Sequence, residues 1–308
     1  MKNTVEKGDI TMKKVKIITD SCADLTAALL SQYDIDHVKM RTVLDGVETP
    51  ADLTWTDEEA HNLYETIRSG KRITTTQVPA SEFTDTFTKY VKDGYDIVYI
   101  ACSHKQSGSV NTAGVVAKKI MEENEGAVIK CIDSLNTSMG EGIVAIYASQ
   151  LANEGLGAED IEAAVLQMRK NVNEFVTVHS LSSLHRAGRV SGPAAFFGNL
   201  MGVKPIIVAD ANGAQAAFKK VKGRQKSFEE IIALMKEAVI KPESQTLYLV
   251  HADCPKEEID SLVAIAKREI PFKDIHVGYI GPIVGASVGP DAIGVMALGK
   301  EVTFKAGE

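Results

Sequence analysis

The sequence has no apolar run long enough to cross a bilayer. Its most apolar stretch, Pro193 to Val208 (PAAFFGNLMGVKPIIV), is interrupted by Asn199 and Lys204 and falls short of the roughly 20 residues that a spanning helix needs. The first residues, MKNTVEKGDITMKK, lack the apolar core of a secretory leader and read as a polar tail over residues 1–13, with Met12 as an alternative start. Cysteine is scarce: Cys22, Cys102, Cys131 and Cys254 stand far apart and form no CxxC pair. Buried reduced thiols in a cytoplasmic protein are the expectation, with neither a zinc site nor a redox centre. Positive charge is in deficit, 34 Lys and Arg against 41 Asp and Glu, for a net charge of −7. Such a field opposes nucleic acid, and an anionic ligand would need a local positive site. The sequence shows no internal repeat and no low-complexity segment.

What is present suits a globular protein with a full core. The chain has 308 residues, 44% apolar and 24% charged, a length that suggests two domains. In the first half, strand-like runs (VKIIT at Val15–Thr19, DIVYIAC at Asp96–Cys102, AVIKCI at Ala127–Ile132) alternate with amphipathic helical runs. One helix, TDEEAHNLYETIRSG, carries acids in its first turn and stops at Gly70. This alternation predicts an N-terminal three-layer α/β/α domain with a parallel sheet. Beyond the helix AEDIEAAVLQMRKNV, strands follow one another more often, which predicts a C-terminal α+β domain with a mixed sheet. The boundary is expected near Asn171–Glu174, giving domains of residues 14–172 and 173–308.

Small hydroxyl and carboxylate residues follow the strands of the first half: Asp20 and Ser21, Ser103, then Asp133 and Ser134. The TTTQ run, Thr74–Gln77, reads as a comparable loop. Ligands of an open parallel sheet bind beyond the carboxyl ends of its strands, so these groups should share one rim. Ser21, Asp24 and Ser134 are read as caps and turn residues. For Thr75 and Ser103 a capping role and a ligand role both stand. No His or Cys cluster accompanies them, and no metal is expected.

Three enzyme-like motifs fail. Gly285-Ala286-Ser287-Val288-Gly289 has the GxSxG pattern of a hydrolase nucleophile, but the last histidine, His276, precedes it, whereas that fold needs one downstream. Gly294–Glu301 has P-loop spacing through Lys300, yet Glu301 stands where a magnesium-binding hydroxyl is required. Gly140–Ala145 (GEGIVA) imitates a dinucleotide fingerprint but lies inside a helical run.

Seven segments taken together resemble one family: IITDSCADL, TTTQVPASEF, CSHKQSGSVNTA, CIDS, LSSLHRAGRVSGPAAFFGNLMGVKPII, KKVKGRQK and GPIVGASVGPDAIGV. In this order they resemble the DegV proteins, whose better-studied members are bacterial fatty-acid-binding proteins. The resemblance implies a two-domain carrier, without chemistry or cofactor of its own, that buries a long-chain fatty acid between its domains, with the tail in the C-terminal one. It also implies a partner, a separate ATP-dependent fatty acid kinase that makes acyl-phosphate for phospholipid synthesis. The family's TTSQ loop falls on Thr74–Gln77 and puts Thr75 and Thr76 at the carboxylate. Its paired serines fall on Ser103 and His104, followed by Ser107 and Gly108, and an arginine of its basic strand falls on Arg224. In the glycine-rich segment containing Gly285, the family commonly has His at the position of Ser287 and Gly at that of Asp291. Ser287 therefore looks like a replaced ligand contact; a hydroxyl donates one hydrogen bond but carries no positive charge. Asp291 would oppose an anionic ligand if it faced one.

Each buried methylene contributes about 0.8 kcal/mol, so a chain of ~16 carbons gains on the order of 10 kcal/mol before ordering costs. Phe196, Phe197, Leu200, Met201 and Val203, mostly on one helical face, read from the sequence alone as ordinary core packing, and the resemblance makes them the expected tail wall. Arg186, Arg189, Lys204 and Arg224 are the candidate positive charges; the first three are read as solvated, and Arg224 is favoured by the motif match. Two alternatives remain. One is a phosphotransferase of the dihydroxyacetone-kinase-like type, holding magnesium through Asp20, Asp24 and Asp133; the other is a carrier for another amphiphile.

Overall fold

The computed structural model describes residues 13–192 and 201–307. The chain opens with β1 (Val15–Asp20), α1 (Ala27–Gln32) and β2 (Ile35–Val38), then a small hairpin of β3 (Arg41–Leu44) and β4 (Val47–Pro50). There follow α2 (Asp57–Arg68), β5 (Ile73–Thr76), α3 (Ala80–Lys92), β6 (Asp96–Ala101), α4 (Ser109–Glu123), β7 (Ile129–Asp133), α5 (Ser138–Asn153) and α6 (Ala158–Met168). The second half runs β8 (Val172–Thr177), α7 (Ser182–Ala187), β9 (Val203–Ala209), β10 (Gln215–Lys222), α8 (Arg224–Ala238), β11 (Thr246–His251), α9 (Lys256–Glu269), β12 (Asp274–Tyr279), α10 (Pro282–Val288) and β13 (Ile293–Leu298).

The first sheet is parallel, in the order β2-β1-β6-β7. Its strands read as near-continuous apolar runs because both faces are covered. Ile18, Ile97 and Tyr99 pack on one face with Phe83 and Phe87 of α3 and Ala113, Ala117 and Ile120 of α4. Ile17, Val98, Ile100 and Ile132 pack on the other with α5 and α6. The second sheet is mixed, in the order β10-β9-β8-β13-β11-β12, with β11 and β12 parallel and the remaining pairs antiparallel. Its outer face carries α8 and α9. Its inner face meets α5, which packs on β1 and β6 on one side and on β8 and β13 on the other. The layers are thus helix, parallel sheet, helix, mixed sheet, helix, in two lobes. Among the described residues no helix is long and apolar enough to cross a membrane.

Several local expectations need correction. Thr74–Thr76 is not a loop but most of strand β5, which pairs antiparallel with β3 in a three-stranded sheet, β4-β3-β5. Three successive β-branched threonines favour the extended chain. The expected tail wall is not a helical face where it is described. Met201 is fully exposed in a turn, and Val203 begins β9 after Gly202, at φ +75°; Phe196, Phe197 and Leu200 lie outside the described residues. The glycine-rich segment is helical rather than a hydrolase elbow or an open loop. It forms α10, with Pro282 in the first turn and Gly285 and Gly289 amides bonded to the carbonyls four residues before them. Arg224 is not in a strand; it opens α8 directly after Gly223, at φ +95°.

Two buried carboxyl groups fasten the central helices. Asp24 Oδ1 accepts from the Gly281 N–H at 2.8 Å, at the start of α10, and its other oxygen accepts from Ser138 Oγ. Glu174 Oε1 accepts from the Thr137 N–H at 3.0 Å, at the start of α5, and Oε2 accepts from Gln215 Nε2 at 2.9 Å. Burial, opposed by these hydrogen bonds, pushes both carboxyls up to about 7. Between their ordinary values of about 4 and this raised value the folded protein holds more protons than the unfolded chain, so stability falls as pH rises through that window. The thermal unfolding midpoint is therefore expected to drop between about pH 5 and about pH 7.5, and Asp24→Asn and Glu174→Gln each to flatten the slope. A midpoint that rises over this interval contradicts the assignment.

Candidate functional site

A cleft of about 670 Å³ opens between β5, α7 and α10, within the ~300–1,000 Å³ range of small-molecule sites. Thr75, Ser287 and Arg189 line its inner end and also wall a first inner chamber of about 60 Å³. That chamber adjoins a second, of about 50 Å³, sharing Leu184, Val284, Val288, Thr137 and Gln215 as walls. Val176, Ile207, Ile280 and Met296 add apolar wall to the second chamber, and Ser138 and Glu174 also line it. The path thus passes from an open mouth, between hydroxyls, into a largely apolar interior between the two sheets.

The fold explains why the hydroxyls meet. Thr75 lies on β5 opposite Thr42 of β3. Ser287 is in the last turn of α10, and α10 packs on β3, β5 and α2. That approach depends on Gly285, where a Cβ would lie 2.5 Å from the hydroxyl oxygen of Tyr64. The same Tyr64 hydroxyl donates to the Ile280 carbonyl at 2.6 Å. Among the described residues neither Thr75 nor Ser287 spends its hydroxyl on another protein group. Ser107, on the wall of the first chamber, accepts from the Ser109 N–H at 3.2 Å and contacts Ser109 Oγ at 2.9 Å. If Ser109 donates in the hydroxyl pair, the Ser107 O–H remains free to donate.

The mouth supplies the positive site that the net charge left open: Lys71, Arg72, Arg186 and Arg189 line it. Lys71 pairs with Asp45 at 3.3 Å; among the described residues Arg72, Arg186 and Arg189 have no acidic partner. Arg189 Nε donates to the Gln106 carbonyl at 3.3 Å, which holds its guanidinium beside the first chamber. Asp291 does not oppose the ligand space, because its Oδ1 accepts from Arg68 Nη2 at 2.8 Å.

The other expected site residues lie elsewhere. Thr76 points away from Thr75 in the alternation of the strand and donates to Glu48 Oε1 at 2.8 Å. Ser103 is fully buried and donates to the Gly213 carbonyl at 2.7 Å, tying the first sheet to the β9–β10 turn. A Cβ at Gly213, whose φ is +82°, would lie 2.4 Å from Ser103 Oγ. His104 is exposed and pairs with Asp133 at 2.6 Å. Gly108 precedes α4 and leaves room for the Gln77 side chain, which a Cβ would meet at 2.2 Å. Arg224 binds Glu258 Oε2 at 2.7 Å and the Asp291 carbonyl at 2.6 Å, and lines neither the cleft nor a chamber. Lys204 meets His179 at 2.9 Å. The expected set therefore divides: Thr75, Ser107 and Ser287 converge, whereas Thr76, Ser103, His104, Gly108, Arg224 and Gly285 do not line the path.

The residues without a sequence forecast are Lys71, Arg72 and the apolar walls Leu184, Val284 and Val288. Asp45-Gly46, at φ +51° and +82°, was a readable hairpin signal, and it would have placed TTTQ beside a second strand. The aspartates considered as magnesium ligands are already engaged. Asp20 accepts from Tyr99 at 2.8 Å and from the Cys22 and Cys102 amides, and Asp133 accepts from His104.

Comparison with known proteins agrees with this architecture. A family model described as an uncharacterised protein of the DegV family matches residues 14–300. A DegV domain-containing protein of Clostridium perfringens is 31% identical over 288 residues, covering 94% of this chain and 98% of its own length. A solved DegV lipid-binding protein from Thermotoga maritima superimposes with a TM-score of 0.81 at 26% identity, over 94% of this chain and all of its own. A fatty-acid-binding DegV family protein from Thermus thermophilus shares the fold with a TM-score of 0.82 at 22% identity, over 93% of this chain and all of its own.

The buried Ser103 bond is structural in this arrangement. Ser103→Ala is expected to lower the free energy of unfolding by about 1–3 kcal/mol, because it leaves the Gly213 carbonyl without its partner. Urea denaturation measures this; an unchanged midpoint and slope would free Ser103 for another role.

Proposed function

The chain belongs to the DegV family, and from that premise we propose that it binds a long-chain fatty acid between lobes of residues 14–172 and 173–308. The carboxylate lies at the inner end of the cleft, between the Thr75 and Ser287 hydroxyls, with Ser107 beside them and Arg189 as the nearest unpaired cation. The tail runs past Leu184, Val284 and Val288 into the inner chambers, of about 60 and 50 Å³, which widen to admit a chain of ~16 carbons. The observation that carries this reading is the convergence of unengaged hydroxyls and an arginine at the step between a cationic mouth and a largely apolar interior. A carboxylate buried without partners costs several kcal/mol or takes up a proton. Hydroxyl donors and a guanidinium offset that cost, and the Thermotoga relative's lipid binding supports the same use of the fold.

The reading includes a carrier's role in the cytoplasm: no chemistry of its own, and an acid presented at the mouth to a separate fatty acid kinase that feeds phospholipid synthesis. The open mouth beside Thr75 and Ser287 suits that role, because the head group is the part of the ligand nearest to solvent.

Mass spectrometry of the denatured, purified protein is expected to release a long-chain acid; a protein that is empty and also rejects added fatty acid would refute the assignment. Thr75→Ala and Ser287→Ala are each expected to weaken acid binding by about 1–3 kcal/mol, whereas Ser103→Ala, corrected for folding, leaves it unchanged. Ser287→His is expected to strengthen binding below the imidazole pKa by adding positive charge. Equal affinity in all four variants would move the head group elsewhere.

A further inference from the structure

Cys22 and Cys102, far apart in the sequence, are brought together by the pairing of β1 with β6. Cys22 lies just beyond the end of β1, and Cys102 directly follows β6. One carboxylate, Asp20, fixes both: Oδ1 accepts from the Cys22 N–H at 2.9 Å and Oδ2 from the Cys102 N–H at 3.1 Å. Glu141 of α5 reaches the same spot. The two sulfurs and a Glu141 carboxylate oxygen all lie within 4.8 Å of one another. Glu141 is fully buried; its Oε1 accepts from Thr19 Oγ1 at 2.7 Å, and its Oε2 has no hydrogen-bond partner. An unpartnered carboxylate oxygen in the interior is costly. Asp20, Asp24 and Glu174 are also buried nearby in the fold, and among the described residues none of these four acids forms an ion pair. The interior here is rich in electron donors and poor in cations.

We propose that Cys22, Cys102 and Glu141 form a binding site for a thiophilic divalent cation of the zinc type. Two thiolates and one carboxylate are a ligand set that suits zinc and disfavours magnesium or calcium, which take oxygen ligands. Asp20 holds the backbone at both cysteines, as an outer carboxylate does around a metal centre. Both cysteines also wall the first inner chamber, so a tetrahedral ion keeps its fourth position on the chamber side, for water or an anionic group. Binding forms two metal–sulfur bonds and one metal–oxygen bond, and the two S–H protons, with any proton held by the Glu141 carboxyl, leave to solvent, with no change of oxidation state. The inference stands whether or not the ligand of the cleft is a fatty acid.

Cobalt titration of the reduced, chelator-stripped, full-length protein tests it. The expected result is one Co²⁺ per chain with a thiolate-to-cobalt charge-transfer band that Zn²⁺ bleaches. The band is lost in Cys22→Ser and in Cys102→Ser and kept in Cys131→Ser; Glu141→Gln raises the Co²⁺ concentration at half-saturation. The trio of His61, Glu65 and the half-buried Asp253 can hold Co²⁺ only without sulfur and gives no such band. A wild-type protein without the band, or a band that survives the double cysteine variant, overturns the proposal. Should the serine variants not fold, alkylation of the unmodified protein decides: Zn²⁺ is expected to slow labelling of Cys22 and Cys102 and not of Cys131, and unchanged labelling overturns the proposal.

Discussion

Helix α10 is held in the seam between the lobes by two hydrogen bonds, and the proposed ligand path depends on where they put it. Asp24, from the loop after β1, accepts from the Gly281 N–H, and the Tyr64 hydroxyl, from α2, donates to the Ile280 carbonyl. Gly285 lets the helix lie against Tyr64 at a distance that a Cβ would forbid. The helix then presents Ser287 toward Thr75 and lays Val284 and Val288 along the inner chambers. Arg68, bonded to both Asp253 and Asp291, closes the same seam from the solvent side.

Charge is distributed to match. Among the described residues, guanidinium groups without an acidic partner line the mouth, unengaged hydroxyls the step inward, and mostly hydrocarbon the chambers beyond. Carboxyl groups that could repel an anion are committed elsewhere: Asp291 to Arg68, Asp24 to two hydrogen-bond donors, and Glu174 to Thr137 and Gln215. In the proposed binding mode, burial of the tail supplies most of the affinity, on the order of 10 kcal/mol before ordering costs. In that mode the head group need only avoid a desolvation penalty, and a neutral Ser287 is compatible with that.

The layered α/β frame was legible because its cause is local. Apolar strand runs, acids at helix starts and glycine stops are all read from neighbouring residues. The site was legible only in part, because its logic is not local. Sequence shows that Arg224, Arg186 and Arg189 are cations; it does not show that Glu258 neutralises the first while no described acid meets the others. Ser103 reads as a ligand hydroxyl until the β9–β10 turn arrives to accept its proton. The β3–β4 hairpin carried a clear Asp-Gly signal, but its consequence, that TTTQ is a strand with Thr75 and Thr76 on opposite faces, follows only once β5 pairs with β3. Cys22 and Cys102 show no spacing pattern at all; parallel strand pairing alone makes them neighbours.

The most direct test of the account is a crystal structure of the protein loaded with a fatty acid of about 16 carbons, the chain length whose burial gives the estimate above. The account predicts carboxylate oxygens within hydrogen-bonding distance of Thr75 and Ser287 and a tail lying between Leu184 and Val288, with both inner chambers filled. A carboxylate bound at Ser103 or Arg224, or a tail left in the outer cleft with the chambers unchanged, would contradict it.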